Sequence, residues 1–192
     1  MSELVFDRAS HTYWANGLVV PSVTQILRPV SGYEGMPESM LKEAGERGNR
    51  IHAATELDDR GNLDESTVLP EDLPYLEAWR AFKRATGVAI LDSELMVFNA
   101  VHRYAGTLDR IVGLPDGTEW LVDIKTSAEV KPAVGPQTEA YRQAIGLPKL
   151  RRGVVHLQPG KYRFRELTNG RDWSVFQACL LVHRFNQETT NV

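Results

Sequence analysis

The sequence predicts an α/β protein in which helices flank a mixed β-sheet. Three strand-like runs follow one another over residues 88–126, and a further pair of such runs surrounds Pro159-Gly160. Helical patterns precede, separate and follow these runs, which is typical of a sheet covered by helices. With 192 residues, 42% of them hydrophobic, the chain is large enough for a sizeable core, so we expect a single domain over residues 1–192.

The first elements are predicted to be an N-terminal β-hairpin and a helix that follows it. Apolar residues flank Asn16-Gly17, a dipeptide that favours the tight turn of a hairpin. Pro21 and Ser22 then fit the start of a helix, with the Ser22 hydroxyl as its N-cap.

Two longer helices are expected before the main strands. Residues 37–60 form a polar helical pattern, but Gly45 and Gly48 lie inside it, which predicts either a break or the close approach of another backbone. The next helix is expected over residues 70–86, because Gly87 can adopt the left-handed conformation that commonly ends a helix.

The remaining elements are three strands in succession, a helix, a strand pair and a final amphipathic helix. Their expected ranges are 88–99, 102–113, 118–126, 137–146, 152–158, 162–167 and 171–187. The tetrapeptide LPDG is the turn signal between the second and third of these strands.

Several classes of protein are excluded by what the sequence lacks. No apolar run approaches the roughly 20 residues that a membrane helix needs, so we expect no membrane association. Cys179 is the single cysteine, which excludes an internal disulfide and any cysteine-built zinc or iron–sulfur site. Because the N-terminus also has no secretory signal pattern, we expect a cytoplasmic protein.

Basic residues are concentrated in one segment of the chain. Residues 125–165 hold nine Lys and Arg against two Asp and Glu, whereas residues 1–124 hold 11 against 20. A basic segment of this kind suits a polyanion such as DNA, and the alternative is an ordinary solvated surface.

The stretch WLVDIKTS, residues 120–127, predicts a strand with Asp123 and Lys125 on the same face. If the LPDG turn centres on Asp116, Asp109 lies opposite Asp123, with Cβ atoms about 4.5–5.5 Å apart. Two such acids repel one another, so they persist if one is protonated, if both are solvated, or if a cation lies between them. A divalent metal ion accounts for both acids, and a salt-linked strand pair on a solvent face is the alternative.

Other positions carry candidate ligands or binding groups. His52 and Glu56 share one face of a helix, and imidazole binds divalent transition metals, although a lone helical histidine is usually a packing or surface residue. Glu94, inside a strand-like run, is either an exposed edge residue or an acid close to the metal. Gln137 and Tyr141, one helical turn apart, can bind a phosphate, stack on a base, or form an interior polar contact.

Together these residues resemble the PD-(D/E)XK nuclease superfamily, and specifically its RecB-like exonuclease branch. The likeness covers about residues 11–144 and rests on four motifs that occur in the expected order. They are G-x-x-x-H (Gly48 to His52), G-x-x-D (Gly106 to Asp109), D-x-K (Asp123 to Lys125) and Q-x-x-x-Y (Gln137 to Tyr141). The segment from His11 is also similar to phage-encoded members and to mitochondrial genome-maintenance exonucleases. Leu108 stands where the superfamily's name has proline, and Asp123 stands where many relatives have glutamate.

The resemblance implies a restriction-endonuclease-like core with a metal site where the central strands diverge. The implied ligands of a Mg²⁺ or Mn²⁺ ion are His52, Asp109, Asp123 and the carbonyl of Ile124. Lys125 would position or help deprotonate the attacking water, or stabilise the charge that develops on the phosphate. Imidazole favours Mn²⁺ over the harder Mg²⁺, so we expect Mn²⁺ to be preferred in vitro.

The resemblance also implies that the substrate is single- or double-stranded DNA with free ends, hydrolysed to 5′-phosphate and 3′-hydroxyl products. Gln137 and Tyr141 would guide the strand near the scissile phosphate. The other residues expected to contact DNA or support the ligands are Ser22, Thr24, Glu56, Glu94, Thr126, Arg142, Arg151 and Arg152. A role in phage or bacterial DNA recombination, beside a single-strand annealing protein, rests on the resemblance as well. The alternatives are a structure-specific endonuclease on the same fold, a non-catalytic nucleic-acid-binding module, and a small-molecule phosphohydrolase.

Overall fold

The computed structural model describes residues 3–7 and 10–190, and the other residues of the expected domain lie outside the described ranges. The strands are Leu4–Asp7 (β1), Thr12–Ala15 (β2), Leu18–Val20 (β3), Ala89–Asn99 (β4), Tyr104–Gly113 (β5), Glu119–Lys125 (β6), Arg151–Gln158 (β7) and Lys161–Glu166 (β8). The helices are Val23–Ile26 (α1), Glu38–Asp59 (α2), Leu73–Thr86 (α3), Val134–Ile145 (α4) and Asp172–Thr190 (α5).

The main sheet is mixed and has the strand order β4-β5-β6-β7-β8. Only its β6–β7 pair is parallel, because α4 crosses over between these two strands, whereas the other neighbours are antiparallel. One face packs on α1, α4 and α5, and the other packs on α2 and α3. The predicted mixed α/β architecture is therefore confirmed.

The N-terminal hairpin is confirmed and is extended to a sheet of three antiparallel strands, β1-β2-β3. Asn16 (φ 52°) and Gly17 (φ 77°) form the turn between β2 and β3, and both have the positive φ that tight hairpin turns require. The small sheet is tied to the main sheet by the N–H of Ala105, which donates to the carbonyl of Pro21 at 3.0 Å. Ser22 then caps α1, as predicted, and its hydroxyl accepts from the N–H of Gln25 at 3.1 Å.

Strand β6 is covered on both faces, which explains its nearly continuous burial. Val122 and Ile124 pack with Trp79 of α3 on one side, while Leu121 packs with the α4 and α5 core on the other. The alternation expected for residues 120–125 is thus correct. Asp123 shares the Leu121 face and is only 1% exposed, so a carboxylate is buried inside the sheet.

The helices differ from the prediction in several places. The helix α2 is continuous through Gly45 and Gly48, and a Cβ at Gly48 would lie 3.7 Å from the Thr126 hydroxyl, which is ordinary contact. The helix α3 starts three residues later than expected, and Gly87 (φ 66°) ends it as predicted. The helix α4 starts three residues earlier than Gln137, since a proline in the first turn of a helix loses no hydrogen bond.

Among the described residues, no helix is both long enough and apolar enough to cross a membrane.

Candidate metal centre

The two acids of the central strands approach each other where the β5–β6 ladder ends. The observed register pairs Arg110 with Val122, as the turn position predicted, but the ladder does not continue to the acids. Instead, Oδ2 of Asp109 accepts the backbone N–H of Ile124 at 2.6 Å. The expectation that Asp109 and Asp123 form a direct ladder pair is therefore wrong in detail, because the carboxylate replaces the backbone partner and the strands diverge.

His52 of α2 reaches this point from the helical layer. Its Nε2–H donates to the carbonyl of Ile124 at 3.1 Å, and its Nδ1 lies 3.6 Å from Oδ1 of Asp109 and 3.8 Å from Oε1 of Glu94. Burial lowers the pKa of His52, but the carboxylates of Asp109 and Glu94 raise it by more, so the pKa lies above its usual value. One ligand atom from each of His52, Glu94 and Asp109 lies within 4.8 Å of the others.

Glu94 is held in an unusual backbone conformation in the middle of β4. Its φ is 50°, and it lies between the paired positions Ser93↔Arg110 and Leu95↔Leu108. A non-glycine residue in the left-handed region costs roughly 1–3 kcal/mol and needs the surrounding structure to hold it. The sequence allowed Glu94, an acid inside a strand-like run, to be either an exposed edge residue or an acid close to the metal. The structure favours the second interpretation.

Asp123 and Lys125 form a close ion pair beside this group. Nζ of Lys125 donates to Oδ1 of Asp123 at 3.0 Å and lies 2.8 Å from Oδ2, which is buried and has no hydrogen-bond partner in the described structure. The pKa of Asp123 is raised to about 6, chiefly because the carboxylate is buried; Lys125 lowers the pKa and Asp109 raises it within this net value. Burial also lowers the pKa of Lys125, but Asp123 and Asp109 raise it by more, which favours the ammonium form.

The residues present fit a divalent metal ion. Imidazole nitrogen and carboxylate oxygen are ligands that suit Mn²⁺, and carboxylates suit Mg²⁺. Because Nε2–H of His52 is bonded to the carbonyl of Ile124, Nδ1 is the nitrogen left to bind an ion, and it lies 3.6 Å from Asp109 and 3.8 Å from Glu94. The Oδ2 atom of Asp123 is buried and lacks a hydrogen bond, and the cation beside it is the ammonium of Lys125 at 2.8 Å.

Gln137 and Tyr141 lie one turn apart on α4, as predicted, and contact each other. Nε2 of Gln137 donates to the Tyr141 hydroxyl at 3.2 Å. The Tyr141 ring is 4% exposed and belongs to the main core, so the structure does not present it for stacking on a base. The hydroxyls of Tyr13 and Thr107 form a hydrogen bond of 2.8 Å, and Thr107 lies two residues before Asp109 on β5. The sequence did not single out either residue.

Gly106 of the G-x-x-D motif is required by packing. A Cβ at this position would lie 2.5 Å from Cε1 of Tyr141, so any larger residue would push the ring out of the core. We expect Gly106→Ala to lower the free energy of unfolding by about 1–3 kcal/mol, measured by urea denaturation. Gly45→Ala is the control because the space around that position is open. A stable Gly106→Ala protein would contradict the packing explanation.

Four other residues that were predicted to contact DNA or support the metal ligands lie outside the cluster or are engaged in other contacts. Glu56 pairs with Arg60 at 2.6 Å instead of joining His52. The hydroxyl of Ser22 is occupied in capping α1, with Thr24 Oγ1 3.0 Å away. Thr126 is 8% exposed beside α2. The structure therefore gives none of these residues a direct contact with the candidate metal ligands.

The three predicted phosphate-binding arginines lie away from the cluster. Arg151 pairs with Trp120 at the start of β6, five residues before Lys125 and hence about 16 Å away along the strand. Arg152 is 5% exposed and is neutralised by Glu139 and Asp172 at 3.0 and 2.9 Å. Two further ion pairs bind Arg142 to Glu139 at 2.6 Å and Arg151 to Glu166 at 2.7 Å. These three arginines thus lie away from the candidate metal ligands and have acidic partners, and their contact with phosphates stays a prediction.

Comparisons with known proteins leave the family of this chain open. No protein-family model matches the sequence, and no curated protein matches it. Among solved structures, the chain is similar to the crystal structure of SSO0001, with 16% sequence identity, coverage of 70% of this chain and 68% of that chain, and a TM-score of 0.36. A similarity of this size carries no argument about function.

Proposed function

We propose that the protein is a metal-dependent deoxyribonuclease that degrades DNA from its ends, as the resemblance to RecB-like exonucleases implies. The observation that carries this proposal is the convergence of His52, Glu94 and Asp109 within 4.8 Å, beside the Asp123–Lys125 ion pair. Carboxylates and an imidazole can hold a divalent ion that activates water, and a neighbouring ammonium can stabilise the charge that develops on a phosphate.

In this proposal, Mg²⁺ or Mn²⁺ would be held by His52, Glu94 and Asp109 together with Asp123 of β6. When bound, the ion makes water more acidic and offsets charge on the phosphate. The Ile124 N–H fixes the Asp109 carboxylate, so its orientation does not depend on the substrate. Lys125, as an ammonium, would donate either to a phosphate oxygen, where it stabilises the developing negative charge, or to the attacking water, which it positions.

A polymeric substrate is favoured by two arginines on the edge strand β8. Arg163 pairs with His156, which pairs with Lys125, and Arg165 pairs with Val154, which pairs with Asp123. Partners in a ladder share a face, so both arginines lie on the Lys125 side of the sheet, about 10 Å away across two strand spacings. Both are exposed, and neither has an ion-pair or hydrogen-bond partner within the described ranges. Free guanidinium groups at this distance suit the phosphates of a DNA strand that continues beyond the site.

The double variant Arg163→Gln/Arg165→Gln is expected to bind DNA more weakly and with less dependence on salt. Each lost phosphate contact lowers the slope of log K against log salt by about 0.9, so the slope should fall by roughly two. The measurement is fluorescence anisotropy with labelled DNA in Ca²⁺ over a series of salt concentrations. Arg142→Gln/Arg151→Gln is the matched control at the other end of the sheet. A larger effect of the control pair would restore the original prediction for those arginines.

The proposed activity is tested by digestion of end-labelled DNA in Mg²⁺ or Mn²⁺. We expect linear DNA to be degraded to short products with 5′-phosphate ends and closed circular DNA to be spared. Cleavage of the circle would favour the structure-specific endonuclease instead. Stable DNA binding without cleavage in either metal would favour the non-catalytic module. A cellular role in DNA recombination with a single-strand annealing protein remains part of the proposal.

A further inference from the structure

The side chain of Arg110 is the largest charged group enclosed by the structure at the candidate metal centre. It is 0% exposed and lies on β5 directly after Asp109. A buried guanidinium needs its charge neutralised and its five N–H groups paired. Nε donates to Oδ2 of Asp59 at 2.7 Å, and Asp59 is itself held by the Trp79 indole at 2.9 Å. This side of Arg110 is anchored to the helical layer.

The other side of Arg110 contacts Glu94 and the backbone of Asp109 directly, and it reaches His52 through Thr55. Nη1 donates to Oε1 of Glu94 at 3.0 Å and to the carbonyl of Asp109 at 2.7 Å. Nη2 donates to the Thr55 hydroxyl at 3.1 Å, and that hydroxyl donates to the carbonyl of His52 at 2.9 Å. One rigid group thus spans α2, β4 and β5 at the points where they present His52, Glu94 and Asp109.

We infer that Arg110 is a positioning residue of the metal centre, which sets the orientation of the Glu94 carboxylate. The inference rests on the proposed metal site. A carboxylate has about four lone-pair sites, so Glu94 can accept from Arg110 and still bind an ion. The contact also explains how β4 retains a glutamate with φ 50°, because the guanidinium draws this side chain toward α2.

The test is a double-mutant cycle read out by Mn²⁺ affinity, measured by electron paramagnetic resonance of free Mn²⁺. Lysine retains the positive charge that pairs with Asp59, but its single ammonium group cannot also reach Glu94 as the planar guanidinium does. Loss of a residue that orients metal ligands typically lowers affinity 10–100-fold. We therefore expect Arg110→Lys to weaken Mn²⁺ binding by at least about tenfold in the native background and by less than about twofold when Glu94→Gln is already present.

Arg80→Lys is the matched control, because Arg80 forms a similar pair with Asp58 at 2.8 Å without touching the centre. Should the Arg110→Lys protein not fold, Asp59→Asn/Arg110→Gln replaces the buried charged pair with a neutral one, and the same cycle applies. Equal losses with and without Glu94, or no loss, would overturn the inference.

The cycle separates this inference from the proposed function. A protein that binds Mn²⁺ with the expected coupling but degrades no DNA would contradict the nuclease and leave the role of Arg110 standing. A native protein that binds no Mn²⁺ would overturn both.

Discussion

Replacement of Asp109 by asparagine is expected to lower the rate of Mg²⁺-dependent DNA degradation by at least about 10³-fold. Asp109 is the acid that lies near both His52 and Asp123, and its Oδ1 lies 3.6 Å from the imidazole. A metal ion supplies several kcal/mol of transition-state stabilisation, and each 1.36 kcal/mol is about tenfold in rate. Asparagine retains an oxygen that can accept the Ile124 N–H, so the strands should keep their positions. The measurement is initial-rate digestion of end-labelled linear DNA.

The control for this variant is Asp92→Asn, which removes an exposed carboxylate from β4 without touching the centre. Thermal unfolding of both proteins establishes that the fold is retained. Activity of Asp109→Asn within tenfold of the native protein would reject Asp109 as a metal ligand.

The second large effect is expected for Lys125→Met, which should lower the rate of cleavage by about 10²–10³-fold. This is the usual loss when one hydrogen-bond donor that stabilises the charge of the transition state is removed. Mn²⁺ affinity should be retained or increased, because the substitution removes the cation that lies 2.8 Å from Oδ2 of Asp123. Rate and affinity are then separated by single-turnover digestion and by direct Mn²⁺ binding. This pattern differs from that of Asp109→Asn, which should lose both.

Lys131→Met is the matched control because Lys131 is a nearby partly exposed lysine paired with Glu129 rather than with the centre. If Lys125→Met lost Mn²⁺ binding as completely as Asp109→Asn, Lys125 would be a structural support of the site instead of a group that acts on the substrate.

The elements of the fold were predictable because local signals mark them. Asn16-Gly17 requires positive φ, Gly87 ends a helix in the left-handed conformation, and the alternation around Asp123 fixes its face. Each of these features depends on a few neighbouring residues. The continuity of α2 through Gly45 was not predictable from the low helix propensity of glycine, and the space around this position is open, so no close approach requires the glycine there.

The site was predictable in part, for a physical reason. The proximity of Asp109 and Asp123 follows from the turn that joins their strands, so the register contains that information. The sequence left two interpretations of Glu94, because it does not show the contact of Glu94 with Arg110. The polar partners of Arg110 come from α2 and β4 as well as β5. A charge count along the basic segment does not show which cations are neutralised: Arg152 pairs with the buried acids Glu139 and Asp172, while Arg163 has no partner among the described residues.

The central claim is that His52, Glu94 and Asp109 hold a divalent ion together with the acid of β6. Its most direct test is anomalous diffraction at the manganese edge from crystals grown with Mn²⁺. The account predicts a strong peak within bonding distance of His52 and Asp109, which is lost in Asp109→Asn crystals. Crystals whose Mn²⁺ peaks all lie elsewhere, with these side chains unchanged, would contradict it.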